Sequence, residues 1–288
     1  MQKVAIVTDS IACLPLEVIR QYDVRVVPLN IYFDGKVYME GQDITASEAY
    51  RLLARAPDRW STSPGSVGDY LEAYLEVGRR YSSIACVTLS SRLSTLYDVA
   101  RLAGEQTAAQ NPELDIRVVD SLSAAAGETL ITLAAVRAAA DGKDLAEVAR
   151  VVRTARDKVQ AVGILESIRH VYRTGRIPRI ASQMLSTLNV KPLLRISGTV
   201  HITGVDMNKE HGMRRLLSTI KEKVGERPVR VAISHANVPD EGESLRDRVS
   251  TGFNCVEVLL TDFSPIMGYA TGEGTLVIAF DEEDSGGQ

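Results

Sequence analysis

Four short segments in the first half of the chain concentrate hydroxyl and carboxyl side chains: Thr8-Asp9-Ser10, Ser61-Thr62-Ser63-Pro64, Ser90-Ser91 with Ser94, and Asp120-Ser121 with Ser123. Such groups can hold a carboxylate or phosphate without a formal cation, because hydroxyls and backbone N–H groups donate to the anion and a helix N-terminus adds partial positive charge. The same residue types also cap helices and close turns, so each segment alone supports either reading. Their recurrence is what brings ligand binding level with capping. Other chemistry is missing: the sequence has no Gly-x-Ser-x-Gly elbow, no His-Glu-x-x-His and no Gly-x-x-x-x-Gly-Lys phosphate loop. His170, His201, His211 and His235 are too dispersed for a metal site, and Gly272-Glu273-Gly274 lacks the third glycine of a dinucleotide loop. No catalytic residue and no metal ligand is assigned.

The elements that must position these segments alternate. β-Branched runs at 4–7, 24–33, 84–89 and 116–119 are separated by amphipathic stretches, the order of a mostly parallel sheet. In such a sheet the hydroxyl-rich strand ends share the carboxyl edge, outside which ligands of open α/β sheets bind. Thr45-Ala-Ser-Glu48 is a capping box, and Leu93, Leu96, Tyr97 and Ala100 recur at helical spacing after Ser91. An Ala-rich helix over 124–140 stops at Gly142, and another runs over 144–158. Beyond it, strands at 159–165, 193–196, 200–203, 229–234, 256–261 and 276–280, with helices at 209–224 and 242–249, make a second α/β unit. The expected fold class is therefore α/β in two domains, 1–158 and 159–288, the first with a mostly parallel sheet; the tail 281–288 reads as frayed.

Composition narrows the partners. A chain of 288 residues exceeds the usual single domain, and 45% hydrophobic residues with only 5% aromatics imply an aliphatic core. A net charge of -4 offers no basic surplus to neutralise nucleic-acid or lipid phosphates. Cys13, Cys86 and Cys255 fit neither a disulfide framework nor a zinc spacing, and are expected as buried thiols in a reducing compartment. No apolar run reaches the roughly 18 residues of a membrane helix, and the start Met-Gln-Lys-Val-Ala-Ile-Val-Thr-Asp enters a strand-like run without the apolar stretch of a signal peptide. The expected location is cytoplasmic, without stable membrane insertion.

Taken in order, the polar segments resemble the DegV family: Thr8-Asp9-Ser10, Ser61-Thr62-Ser63-Pro64, Ser90-Ser91-x-Leu93-Ser94 with Tyr97, and Asp120-Ser121. The second half is similar in Gly175-Arg176-Ile177, Asn189-Val-Lys191-Pro192-Leu193-Leu194, Ser264-Pro265 and Thr271-Gly272-x-Gly274. The resemblance runs from about Lys3 to Phe280. It implies a non-catalytic carrier that encloses one long-chain fatty acid in a pocket between the two domains, with no further cofactor, and in some members presents the carboxyl group to a separate fatty-acid kinase. The N-terminal domain would supply the head-group turns and the C-terminal domain would cover the acyl chain. Position by position, Thr62 and Ser94 would hold the carboxyl group, with Ser63, Ser91, Ser121 and Thr271 beside them, and Arg173 and Arg176 would belong to the kinase-docking surface. A solvated helix end is the alternative for those arginines.

The chain also departs from the family. Gly268-Tyr-Ala-Thr-Gly-Glu-Gly274 carries Ala270 where the family commonly has a histidine, Glu273 replaces the usual proline, and Ser94-Thr-Leu-Tyr97 stands for Ser-Gly-Thr-Tyr. Alanine removes a donor from the head-group network, and Glu273, if it faced the site, would disfavour an ionised acid. Two alternatives stay open: an acyl- or phosphoryl-group enzyme using Ser94, and a carrier of a neutral lipid. Burial of about fifteen methylenes is worth on the order of 12 kcal/mol before association costs, so the tail dominates affinity in either carrier reading.

Overall fold

A computed structural model describes residues 3–167, 175 and 190–282. Seven strands fall in the first half: β1 (Val4–Asp9), β2 (Arg25–Val27), β3 (Asn30–Phe33), β4 (Lys36–Met39), β5 (Trp60–Ser63), β6 (Ser83–Thr88) and β7 (Asp115–Asp120). They form two sheets. The order β2-β1-β6-β7 is parallel throughout, whereas β4-β3-β5 is a small antiparallel sheet. The run expected as one strand over 24–33 thus breaks in two. Pro28 has no N–H for a ladder, so the chain leaves the parallel sheet after Val27 and re-enters a different one at Asn30. The segment Ser61–Ser63, expected as a turn at the parallel edge, is part of β5 and pairs with β3.

Helices α1 (Leu16–Gln21), α2 (Ala46–Arg55), α3 (Val67–Gly78) and α4 (Leu96–Gln110) fall among these strands. The expected box at Thr45 caps α2, with the Thr45 side chain accepting from the Glu48 N–H and Glu48 accepting from the Thr45 N–H. Next come α5 (Ala126–Ala140) and α6 (Leu145–Lys158), the latter begun by a second capping box, Asp144 with Glu147. Strands β8 (Gln160–Ile164), β9 (Lys191–Ser197), β10 (Thr199–Asp206), β11 (Val229–His235), β12 (Cys255–Asp262) and β13 (Leu276–Glu282) make a mixed sheet of order β10-β9-β8-β13-β11-β12. Helices α7 (Lys209–Val224), α8 (Pro239–Gly252) and α9 (Pro265–Thr271) complete the second half.

Strand pleating divides the core. In β1, Val4 and Ile6 face α5 and α6, whereas Ala5 and Val7 join the apolar cluster that includes α3 and α4. In β13, Leu276, Ile278 and Phe280 pack under α7 and α8, and Val277 and Ala279 turn into that same central cluster. Strands buried on both faces need near-continuous apolar runs, which these sequences have. The central cluster is continuous through both halves of the chain, and α5 lies against β1 and β6 on one side and β11 and β13 on the other. That sandwiching explains its composition. Ala and Gly let the sheets approach, and a Cβ on Gly127 would fall 3.2 Å from the Ala161 Cβ of β8. Glu128, in the first turn of α5, is fully buried with neither carboxyl oxygen hydrogen-bonded.

The thiol expectation needs correction. Cys86 is buried, but Cys13 and Cys255 are half-buried, because each lies at the end of an element rather than within a covered strand. Among the described residues, no helix is long and apolar enough to cross a membrane, and no group of three or more His, Cys, Asp or Glu side chains could hold a metal ion.

Candidate ligand-binding site

An apolar cavity lies between the two halves. From the first come Ile11, Leu29, Leu89, Leu93 and the Ala124–Ala125 turn; from the second, Leu194, Ile196 and Val200 of the β9–β10 hairpin, Val277, and one side of α9. The cavity offers about 130 Å³ to the centre of a water molecule, and a single water needs about 10–15 Å³ on that measure. Hydroxyls enter its lining at Ser94, Thr271 and Thr275, and no charged side chain does so among the described residues.

Local chemistry builds the walls. The Ser264 side chain accepts the Ile266 N–H and Pro265 opens α9, while Gly272, at φ 91°, ends it. Hence Ser264-Pro265 and Thr271-Gly272 mark the start and stop of the helix that carries Met267, Ala270 and Thr271 onto the cavity. Gly268 sits directly on Tyr50 of α2, whose hydroxyl donates to the Phe263 carbonyl at 3.0 Å. Tyr269 stacks on Trp60 of β5 with ring centroids 6.4 Å apart. On the facing side, Ala125 holds a positive φ of 51° in the turn before α5, a conformation that L-residues adopt only under strain.

The hydroxyls expected at the head group divide. Ser94 and Thr271 meet at the cavity, joined by Pro64 at the end of β5. Ser94 Oγ accepts the Leu96 N–H at 3.3 Å, which leaves its own proton to donate elsewhere. Thr271 Oγ1 donates to the Met267 carbonyl at 3.1 Å and keeps an acceptor lone pair. Thr62 pairs with buried Ile31 and shares its inward side of the small sheet, without reaching the cavity lining. Ser63 points the opposite way, donating to Tyr32 Oη at 3.3 Å. Ser91 is exposed, with its N–H on Asp120 Oδ1 at 3.1 Å, and the Ser121 hydroxyl closes a turn on Ser123. Arg173 and Arg176 lie outside the described residues.

The strand-end acids secure the backbone. Asp9 accepts N–H groups from Ile11 at 3.0 Å and Leu89 at 2.9 Å, tying the ends of β1 and β6 together. Burial pushes its carboxyl up to about 7 against the pull of those two donors. Ser10 donates to Glu40, another carboxyl that burial raises to about 7. Lys191 of the Lys-Pro-Leu-Leu segment closes on Glu166. Glu273 is exposed and accepts from Asn237 at 2.6 Å, so its charge does not enter the cavity lining, whereas Ala270 does enter it.

Sequence reasoning did not mark the apolar lining. Its signal was present in the alternation of Leu194, Ile196 and Val200 around Gly198 and in the Ser-Pro helix start before Ile266 and Met267.

Comparison with known proteins places this arrangement. A DegV domain-containing protein of Clostridium perfringens is 27% identical over 285 residues, covering 97% of this chain and 98% of that protein. One from Caldanaerobacter subterraneus is 32% identical over 194 residues, 67% of this chain and 68% of that protein. Among solved structures, a DegV family protein from Thermus thermophilus, described by its fatty-acid binding, superposes with a TM-score of 0.87 at 25% identity, covering 98% of this chain and all of that one. A stearic-acid-binding protein from Eubacterium ventriosum gives 0.86 at 22% identity over 98% of each chain. The family model, which describes an uncharacterised protein of the DegV family, matches residues 3–283, and with it the fold and the ordered motifs agree: the chain belongs to the DegV family.

Proposed function

We propose that this protein is a non-catalytic cytoplasmic carrier that encloses one long-chain fatty acid in the cavity between residues 1–158, which supply the head-group turns, and 159–288, which cover the chain. The observation that carries this reading is the cavity's lining: aliphatic walls from both halves, with the hydroxyls of Ser94, Thr271 and Thr275 as its polar groups. An acyl chain gains from leaving water, and the Ser94 proton is free for a carboxyl oxygen. The fatty-acid binding of the Thermus thermophilus protein supports the same ligand class. Without a phosphate loop of its own, the chain would present the carboxyl group to a separate kinase, with Arg173 and Arg176 at the docking surface. The test is mass spectrometry of the protein purified from a bacterial host, under native and then denaturing conditions. One fatty acid per chain is the expected result; consistently ligand-free protein refutes the carrier.

Ala270 on the cavity wall, together with a lining that lacks charge among the described residues, favours a second reading in which the head group is neutral. The same spectra decide it, since a fatty alcohol or ester in place of the free acid would exclude presentation to a kinase.

A further inference from the structure

A second concave site opens behind β9. Leu194 and Ile196 of that strand turn toward the apolar cavity, and Arg195 between them points to the other side of the sheet, opposite Val162 of β8. At the end of β9 and the start of β8, where residues of both sheet faces meet it, the hairpin, the Leu122–Ser123 turn, Arg92 and the end of α6 bound a cleft of about 480 Å³, against about 130 Å³ for the apolar cavity. Among the described residues, Arg92, Arg156, Lys158 and Arg195 line it, against one carboxylate, Asp157, which accepts from Arg156 Nε at 3.1 Å. This concentration of cations lies on a chain whose net charge is -4.

Arg156 and Lys158 have a local reason to be there, because cations in the last turn of a helix complement its C-terminal partial charge. Arg92 and Arg195 do not. They arrive from a turn and from mid-strand, and no carboxylate among the described residues of the cleft pairs with them. Arg92 is also held in place: a Cβ added to Gly198 would lie 3.0 Å from its Cδ and 3.1 Å from its Nη1, so the side chain lies flat over the hairpin tip. The tip is itself tied down, with the Gly198 N–H on the Leu122 carbonyl at 2.6 Å and the Ser90 hydroxyl on the Gly198 carbonyl.

Cations held together in a concave site focus a positive field that a multiply charged anion neutralises, and guanidinium groups present paired donors to phosphate oxygens. We propose that this cleft binds a small phosphate-bearing polyanion, whatever fills the apolar cavity. The concavity, with four cations drawn from three elements in its lining, suits a small ligand better than a flat protein surface.

Inorganic pyrophosphate is the probe, titrated calorimetrically into the full chain at low and at physiological ionic strength. Saturable binding of one pyrophosphate per chain is expected, stronger at low salt. Arg92→Gln and Arg195→Gln should each weaken it about tenfold or more, the loss of one charge-assisted contact. Arg153→Gln, on the exposed side of α6 and outside the cleft lining, should bind as the parent does. Thermal melting checks folding, with pyrophosphate raising the parent's Tm more than that of Arg195→Gln. Absence of saturable binding, parental affinity in both cleft variants, or an equal loss in Arg153→Gln would overturn the proposal.

Discussion

Replacing Ala124 by leucine tests the acyl site directly. Ala124 belongs to the cavity wall contributed by the first half and is not among the residues at positive φ, so a larger side chain meets no backbone obstacle. Leucine adds three carbons to the space that the acyl chain would fill, excluding about three methylenes at about 0.8 kcal/mol each, or about 2.4 kcal/mol. At about 1.4 kcal/mol per tenfold, palmitate should bind about 50-fold more weakly. Ala270→Leu enters from the opposite wall, on α9, and should show a similar loss. The assay is calorimetric titration of delipidated protein with palmitate, paired with urea unfolding of the unliganded forms. Filling an existing cavity avoids the overpacking penalty of about 1–3 kcal/mol that the same change brings in a dense core. The urea midpoint should therefore stay near the parent's. Palmitate binding within threefold of the parent in both variants, with folding intact, would refute the placement of the chain in this cavity.

Ser94→Ala should weaken palmitate binding by about 1–2 kcal/mol, roughly 5- to 30-fold, because its hydroxyl proton is free. Ser121→Ala should leave affinity unchanged, since that hydroxyl is engaged with Ser123; the same titration compares them. Gly268→Ala would bring a Cβ to 2.4 Å from Tyr50 Oη; a loss of about 1–3 kcal/mol in urea unfolding is expected, and parental stability would show that α9 can shift. Burial, with Asp9 and Asp120 nearby, raises the Glu128 carboxyl well above its ordinary range. The folded protein then holds a proton that the unfolded chain releases above about pH 4.3, so this group's contribution is complete below that pH and is lost as pH rises toward the folded value. Unfolding at pH 5 and pH 8 should show a smaller stability difference in Glu128→Gln than in the parent, with the variant the more stable at pH 8. An unchanged difference would mean that Glu128 is not held neutral.

What the sequence determined by itself is local. The capping box at Thr45, the stop at Gly142 and the strand at β13 could be read because they depend on neighbours within a few residues: a hydroxyl reaching its own backbone, a glycine free to take φ 80°, alternate positions facing opposite sides. The ordered Ser, Thr and Asp motifs were legible for the same reason, and they carried the family. Their individual duties were not. Thr62 and Ser63 are adjacent in the chain, yet pairing of β5 with β3 turns one inward and the other onto Tyr32, and only that register decides which can approach a ligand. Pro28 announced a break without revealing that the chain would resume in a separate antiparallel sheet. The cavity is the product of tertiary structure alone. Leu89, Leu194 and Met267 are ordinary apolar residues far apart in sequence, and they become a binding wall because two halves that share one core leave space between them. Composition counts apolar side chains, but only packing determines where they fail to meet.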